Sequence, residues 1–370
     1  MTKYTALIAG ATGAASTRLV ETLLADENWS VVGISRHPPE ISPNKRLRYI
    51  RADLLDAQDT RIQLANETST THLVYTSRAP FKEGGVEDVE SNVAMLANAL
   101  DAIETTATNL QHVHLVEGAK WYGIHLGPGP TPAREDAPRH MPPNFYYDQQ
   151  DFLAARQKQQ PRVTQPDNLD QTNSLKPWTW SASRPNLIYD FAPQRPRNIV
   201  SVIGAWAAIS KELGLPLDFP GKQGCYDAIC DLTDARQLAR SIKWMMTSPE
   251  AHNQAFNVTD GDVFRWRQMW KRVADHFGLE TGVARNWTLG TWMADKQPIW
   301  EAISKKHNLV EPRLDQIAPW SFADFVFHQN YDVMSIMTKI RLAGFHDTVA
   351  SEDNLIAHLK SYQDAGILPR

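Results

Sequence analysis

Cysteine is nearly absent from this chain, with Cys225 and Cys230 the only two among 370 residues. That excludes a disulfide-stapled scaffold, and no C-x-x-C pair is available for zinc, so a reducing, cytoplasmic setting is expected. Long apolar runs are also missing. None approaches the roughly 18 residues a bilayer span requires, so no membrane segment is expected. The opening Met1-Thr2-Lys3-Tyr4 leads directly into a strand-like run, so no signal peptide is expected ahead of it. Neither sign of charge is in excess. A total of 38 basic and 42 acidic residues gives a formal net charge of −4, which predicts no nucleic-acid partner. With 42% hydrophobic and 22% charged residues, the composition excludes disorder and a collagen-like repeat and leaves a globular chain with a substantial core. At about 100–200 residues per domain, the length suggests two domains or one large elaborated one. Tryptophan is in surplus, with 12 residues mostly after position 178.

The first sixty residues carry the clearest pattern. Tyr4 to Ala9 is a short apolar run suited to a strand buried on both faces. Gly10-Ala11-Thr12-Gly13-Ala14-Ala15-Ser16 follows, then Leu19, Val20, Leu23 and Leu24 at helical spacing. A glycine after a strand permits a tight turn, a second lets backbone approach a pyrophosphate, and the helix N-terminus behind them supplies N–H donors. Ser16 stands where a third glycine is usual. Trp29 to Ile34 reads as the second strand and ends in Ser35-Arg36-His37. An acid here would suit the ribose of NAD, whereas Arg36 suits the extra phosphate of NADP. Leu47 to Leu54 reads as a third strand, its Asp53 placed to touch an adenine.

Thr71 to Ser77 is a further strand candidate, with Thr76 and Ser77 at its exit, and Leu110 to Val116 another. Glu87 to Ile103 between them has the apolar stripe of a helix. Regular strand–helix alternation predicts an α/β fold, a Rossmann-type doubly wound parallel sheet. Ligands in such sheets bind at the carboxyl ends of the strands, where each of these motifs lies. His112 and His114 alternate along their strand and are expected to pack or hydrogen-bond there; no metal site is expected.

Lys120 stands just beyond the fifth strand, and Asn144-Phe145-Tyr146-Tyr147-Asp148-Gln149-Gln150-Asp151 is helical in pattern from Tyr146 onward. Short-chain dehydrogenases place a Tyr and a Lys four apart on one helix face, where the ammonium lowers the phenol pKa. Position 150 is Gln, so that pair is broken.

The chain nevertheless resembles the progesterone 5β-reductase and iridoid synthase-like family of atypical extended short-chain dehydrogenases. The likeness rests on Gly10/Gly13, Arg36, Gly118-Ala119-Lys120-Trp121-Tyr122, Asn144-Phe145-Tyr146 with Asp151, and Trp180-Ser181-Ala182-Ser183-Arg184-Pro185. It extends through Asn257 with Gly261-Asp262-Val263-Phe264-Arg265-Trp266, and through Phe322-Ala323-Asp324. The resemblance implies that Lys120 takes over from the missing helix lysine and that Tyr146 is catalytic; Tyr147, about 100° around the helix, fits less well. It implies NADPH as cofactor, held by Gly10, Thr12, Gly13, Ala14, Ala15, Ser35, Arg36, Asp53, Leu54, Thr76, Ser77, Lys120, Tyr146, Pro185 and Ile188. It implies a substrate pocket involving Trp121, Phe145 and Phe322, suited to a small hydrophobic enone or carbonyl compound, and it is compatible with a homodimer. The implied reaction is 1,4-reduction of an α,β-unsaturated carbonyl, with Tyr146 and Lys120 stabilising the enolate. Two alternatives stay open: 1,2-reduction of a ketone or aldehyde, and a non-catalytic NADP-binding regulator.

Several positions depart from the family pattern. His37 stands where a second arginine is frequent, Glu117 where a small or polar residue is usual, and Trp121 within the K-x-Y segment. Residues 156–176, rich in Gln, Asn and Pro, read as a surface insertion. Pro185 to Tyr189 reads as the sixth strand, and Asp227 to Asp234 as a strand returning to the main sheet. The expected organisation is a Rossmann domain over residues 1–199 and a smaller, mostly helical substrate-binding part over residues 200–370, with 226–260 returning to the first. Trp266, Met269, Trp270 and Val273 form a helical stripe expected to be core.

Overall fold

The computed structural model describes residues 3–42, 44–160, 177–193, 195 and 197–370. The insertion expected at 156–176 lies outside them from residue 161 on, while Arg156 to Lys158 close a helix.

Seven strands form one parallel sheet: β1 (Tyr4–Ala9), β2 (Trp29–Ser35), β3 (Leu47–Arg51), β4 (His72–Tyr75), β5 (His112–Val116), β6 (Thr179–Pro185) and β7 (Gln254–Val258). Their spatial order is β7-β6-β5-β4-β1-β2-β3, so the chain reverses direction of winding between β1 and β4. Side chains along β1 alternate between the two faces. Ala6 and Ile8 pack with α1 (Ala14–Leu24), while Leu7 and Ala9 share a cluster with α2 (Ala57–Leu64) and α3 (Val89–Thr106). Both faces are covered, which is why β1 reads as an unbroken apolar run. The helix Ala235–Thr247 packs against α1, so one later segment of the chain completes the first layer.

Two strand expectations are corrected. The sixth strand is Thr179–Pro185, one step earlier than its expected place, and Ile188–Tyr189 is a separate short strand paired with Thr233–Asp234. Leu187, at φ 29°, turns the chain between them. The serines that disguised β6 are bonded inward: Ser181 Oγ lies 2.7 Å from His112 Nε2 and 2.8 Å from His114 Nδ1. Burial keeps both histidines well below the usual imidazole range. The Asp227–Asp234 stretch does not join the main sheet. Its Ile229–Cys230 pairs antiparallel with Phe264–Arg265, and Gln254–Val258 takes the seventh position instead.

After the sheet, helix Ile199–Glu212 is buried from Ile199 to Ser210. It is surrounded by the aromatic surplus: Trp206, Trp266, Trp270, Trp300 and Phe327 share its core. Trp266, Met269, Trp270 and Val273 form the expected buried stripe of their helix. No helix among the described residues is long and apolar enough to cross a membrane.

Phe256 of β7 is fully buried and packs edge-on against Trp244. Phe256→Ala should destabilise the fold by about 3–5 kcal/mol, whereas the exposed Val283→Thr should be near neutral; urea unfolding of both variants checks this. Equal stabilities would contradict the placement of the seventh strand.

Candidate active site

Two openings meet at the carboxyl ends of the strands. The first is a groove of about 670 Å³ lined by Gly10, Thr12, Ser35, Arg36, Asp53 and Leu54, with Tyr49 and Arg195. The second is a cavity of about 390 Å³ lined by Gly13, Ala14, Ala15, Lys120, Phe145, Tyr146, Pro185, Ile188 and Phe322. Thr76, Ser77 and Arg78 belong to both and mark the junction. The expected cofactor residues thus line one continuous cleft across the β1/β4 reversal.

Gly10 has φ +84°, and a Cβ there would lie 2.7 Å from Thr76 Oγ1. Only glycine takes that turn without strain. Ser16, in place of a third glycine, is buried and hydrogen-bonds Thr76 Oγ1 at 2.8 Å. α1 has no side-chain N-cap and no acidic residue in its first turn, which leaves its N–H groups and positive dipole end facing the cleft. These features fit a dinucleotide pyrophosphate.

Lys120 sits in the 3₁₀ turn Ala119–Tyr122, and Tyr146 in the first turn of α4 (Phe145–Lys158). Asn144 joins them: its Oδ1 accepts the Tyr146 N–H at 3.2 Å, and its Nδ2 donates to the Lys120 carbonyl at 2.9 Å. Lys120 Nζ donates to Glu87 Oε1 at 2.8 Å, and Arg78 Nη2 reaches the same oxygen at 2.6 Å. Burial lowers the Lys120 pKa, while Glu87 opposes the shift. The Tyr146 hydroxyl lies beside Gly118, where a Cβ would approach it to 3.2 Å, and it makes no hydrogen bond among the described residues. Burial pushes its phenol up to about 12, against the pull of Arg78 and Arg197. Tyr147 is committed elsewhere: its hydroxyl donates to the Trp121 carbonyl at 2.5 Å and accepts from the His140 N–H at 2.9 Å.

Trp121 requires a correction. It is buried away from the cavity, with the Arg184 guanidinium 3.6 Å above its ring and Tyr147 against its edge. Arg184 is itself buried and pairs with Glu117 at 2.7 Å, side-chain exposures being 2% and 0%. Burial pushes Glu117 up to about 7 against the attraction of Arg184. Arg184 Nη2 also donates to Gln150 Oε1 at 3.0 Å, and Nη1 to the Tyr122 hydroxyl at 3.2 Å. The position four beyond Tyr146 therefore anchors its helix to a buried cation instead of presenting one to the cleft.

Sequence reasoning missed Arg78, Glu87, Arg197, Gln329 and Tyr331, all lining the cavity or bonded into it. Arg78 directly follows Thr76-Ser77 and could have been found from that exit; Glu87 gave no signal. Trp266, expected as core, is buried and also borders the cavity. Cys225 and Cys230 line it as well, and burial raises both thiols, Cys225 to about 12.

The sheet and its helical C-terminal region are shared with solved epimerases. The chain superimposes on the UDP-glucose 4-epimerase of Thermus thermophilus, solved with NAD, at TM-score 0.62 and 16% identity over 96% of this chain and 99% of that one. An epimerase from Methanothermobacter thermautotrophicus gives TM-score 0.65 at 12% identity over 98% and 93%. At these identities the likeness is one of fold.

Sequence relatives are nearer. The chain is 34% identical to the 3-oxo-Delta(4,5)-steroid 5-beta-reductase of Arabidopsis thaliana over 98% of this chain and 93% of that protein. It is 33% identical to the (S)-8-oxocitronellyl enol synthase of Catharanthus roseus over 99% and 93%. Residues 51–369 match the family described as the PRISE-like Rossmann-fold domain, and the chain belongs to that family of short-chain dehydrogenase/reductase-type oxidoreductases.

Arg184→Met leaves Glu117 buried without its cation and should cost about 3–5 kcal/mol. The double variant Glu117→Leu/Arg184→Met should recover most of that loss in urea unfolding. Undiminished stability of the single variant would contradict the pairing.

Proposed function

We propose that this protein is an NADPH-dependent reductase of α,β-unsaturated carbonyl compounds. The observation that carries the reading is the placement of Lys120 and Tyr146 in one cavity wall, where a phosphate-suited groove opens into an apolar chamber. NADPH, when bound, supplies the hydride. Gly10, Gly13 and the open N-terminus of α1 would hold its pyrophosphate, Arg36 and Ser35 its additional phosphate, and Asp53 with Leu54 its adenine. Pro185 and Ile188 at the exit of β6 would orient the nicotinamide.

Tyr146 O–H donates a hydrogen bond to the substrate carbonyl oxygen. As the β-carbon is reduced, negative charge builds on that oxygen, and the Lys120 ammonium stabilises it from nearby. A phenol held protonated up to about 12 is suited to donating a hydrogen bond throughout the neutral range. Enolate stabilisation asks no more, since solvent can later protonate the α-carbon. An alkoxide from 1,2-reduction would demand full proton transfer from that phenol. Phe145, Phe322 and Trp266 surround the remainder of the substrate with apolar surface. The names of the steroid reductase and the oxocitronellyl enol synthases support a carbonyl substrate of terpenoid or steroid character.

The test is turnover of NADPH with cyclic enones, linear enals and saturated ketones, with products identified. Saturated carbonyl products are expected; alcohols alone would assign 1,2-reduction, and no turnover of any compound would contradict the proposal. Tyr146→Phe should lower kcat by about 10²–10³-fold while leaving NADPH affinity within about twofold.

The pH dependence follows from the two shifts. Because the Tyr146 pKa is raised, its donor is lost only at strongly alkaline pH. Because the Lys120 pKa is lowered, its positive charge disappears first as pH rises. kcat should be flat through neutrality and fall on an alkaline limb, and Lys120→Met should remove that limb along with much of the rate. A wild-type rate that climbs with pH would indicate a phenolate base instead.

A further inference from the structure

The chain from Asp190 to Asn198 links the short strand Ile188–Tyr189 to the buried helix Ile199–Glu212. Its two ends are tied together, since Asn198 Nδ2 donates to the carbonyls of Asp190 at 3.2 Å and Ala192 at 3.1 Å. The incoming end is further secured. Asp190 is buried and accepts from Arg18 Nε at 2.6 Å, the Phe191 N–H donates to His358 Nδ1 at 3.1 Å, and the Ala192 N–H donates to the Tyr362 hydroxyl at 2.9 Å. His358 accepts at Nδ1, so its Nε2 carries the proton donated to Asp234 Oδ2 at 2.9 Å.

Asp190, Asp234 and His358 have the composition of a metal site. Both imidazole nitrogens are engaged, however, and Arg18 already supplies a cation to Asp190. The cluster is an anchor for this segment, and it connects the segment directly to α1 behind the glycine turn.

The anchored segment carries two guanidinium groups. Arg195 lines the groove with Thr12, Arg36 and Tyr49, while Arg197 lines the cavity into which Arg78 also projects. Both are exposed, and neither makes a hydrogen bond or ion pair among the described residues. Around the junction, Arg78, Lys120 and Arg197 face Glu87, which the first two already share, while Glu117, also in the cavity lining, is paired with Arg184. Arg195 and Arg197, with no ion pair among the described residues, form a receptor for an anion, and the planar arginine fork matches phosphate oxygens.

The sequence contains a corresponding deficit. Only one guanidinium, Arg36, directly follows β2, and His37 comes next. Arg195 approaches the same groove from a different part of the chain.

We propose that Arg195 and Arg197 form a phosphate-binding strap, Arg195 joining Arg36 at the ribose phosphate of NADP and Arg197 joining Arg78 at the pyrophosphate. The proposal rests on the cofactor reading above and extends it to a segment outside the glycine turn. Its consequence is that preference for NADPH over NADH is divided between Arg36 and Arg195.

The test is direct binding, without turnover. Tryptophan fluorescence titration would give Kd values for NADPH, NADH, adenosine 2′,5′-bisphosphate and ADP with wild type, Arg195→Gln and Arg197→Gln. Arg195→Gln should weaken NADPH and the bisphosphate by about 10-fold or more while leaving NADH and ADP within about twofold. Arg197→Gln should weaken NADPH and NADH alike, by about 10-fold. Both side chains are exposed, so circular dichroism should show both variants folded as wild type. NADPH binding by wild type together with unchanged affinity in both variants would overturn the strap alone. Wild type that binds neither dinucleotide would overturn the cofactor reading and the strap with it. Equal loss of NADPH and NADH in Arg195→Gln would overturn the assignment of the ribose phosphate.

Discussion

A guanidinium removed from water must be met by charge and hydrogen bonds, and the way Arg184 is met organises the site. Its side-chain partners come from three elements, two of which are joined as well by Asn144 and Tyr147. Glu117 lies at the exit of β5, Gln150 in α4 and Tyr122 in the turn that carries Lys120. Trp121 closes the fourth side with its ring. Satisfying one buried cation therefore fixes the strand end, the lysine turn and the tyrosine helix together. Gly118 then lets the Tyr146 hydroxyl approach the backbone. The network is costly if half-made, because any missing partner strands a buried charge. It also gives a physical reason for Gln at position 150: the charge beneath α4 is supplied by β6, and the cleft-facing ammonium comes from Lys120.

Several motifs by which the chain resembles its family turn out to be fastenings of this kind. Asn257 accepts from the Tyr122 hydroxyl at 2.5 Å and donates to the Ala133 carbonyl at 3.0 Å, joining β7 to the lysine turn. Asp262 accepts the Ser351 N–H at 3.0 Å and so holds the start of the last helix. Asp324 caps the short helix at Leu289–Trp292 through the N–H groups of Leu289 and Gly290. These residues shape the cavity from behind without facing it. The fold shared with epimerases at 12% and 16% identity does not require the same chemistry; the site residues decide that question.

What could be read beforehand followed physical locality. The β1–glycine–α1 unit, Arg36 after β2 and Asp53 after β3 are sequence-local patterns, and Gly10, Arg36 and Asp53 line one groove. β6 was misplaced because its serines look polar in sequence, whereas they satisfy two buried histidines on the neighbouring strand. The seventh strand was misplaced because Ile229–Cys230 and Gln254–Val258 are comparably apolar, and only tertiary pairing separates them. Trp121 was assigned to the pocket by the family resemblance, but a 3₁₀ turn sends adjacent side chains in different directions. Glu87 and Arg197 join the site across 33 and 77 residues from Lys120, distances over which no local pattern operates.

In the proposed reaction Tyr146 and Lys120 stabilise an enolate, so hydride must arrive at the β-carbon rather than at the carbonyl carbon. The most direct measurement is the position of deuterium in the product formed from NADPH deuterated at the transferable hydrogen and a cyclic enone, read by NMR. Deuterium at the β-carbon of a saturated ketone is the expected result. Deuterium on the carbinol carbon of an allylic alcohol would contradict it.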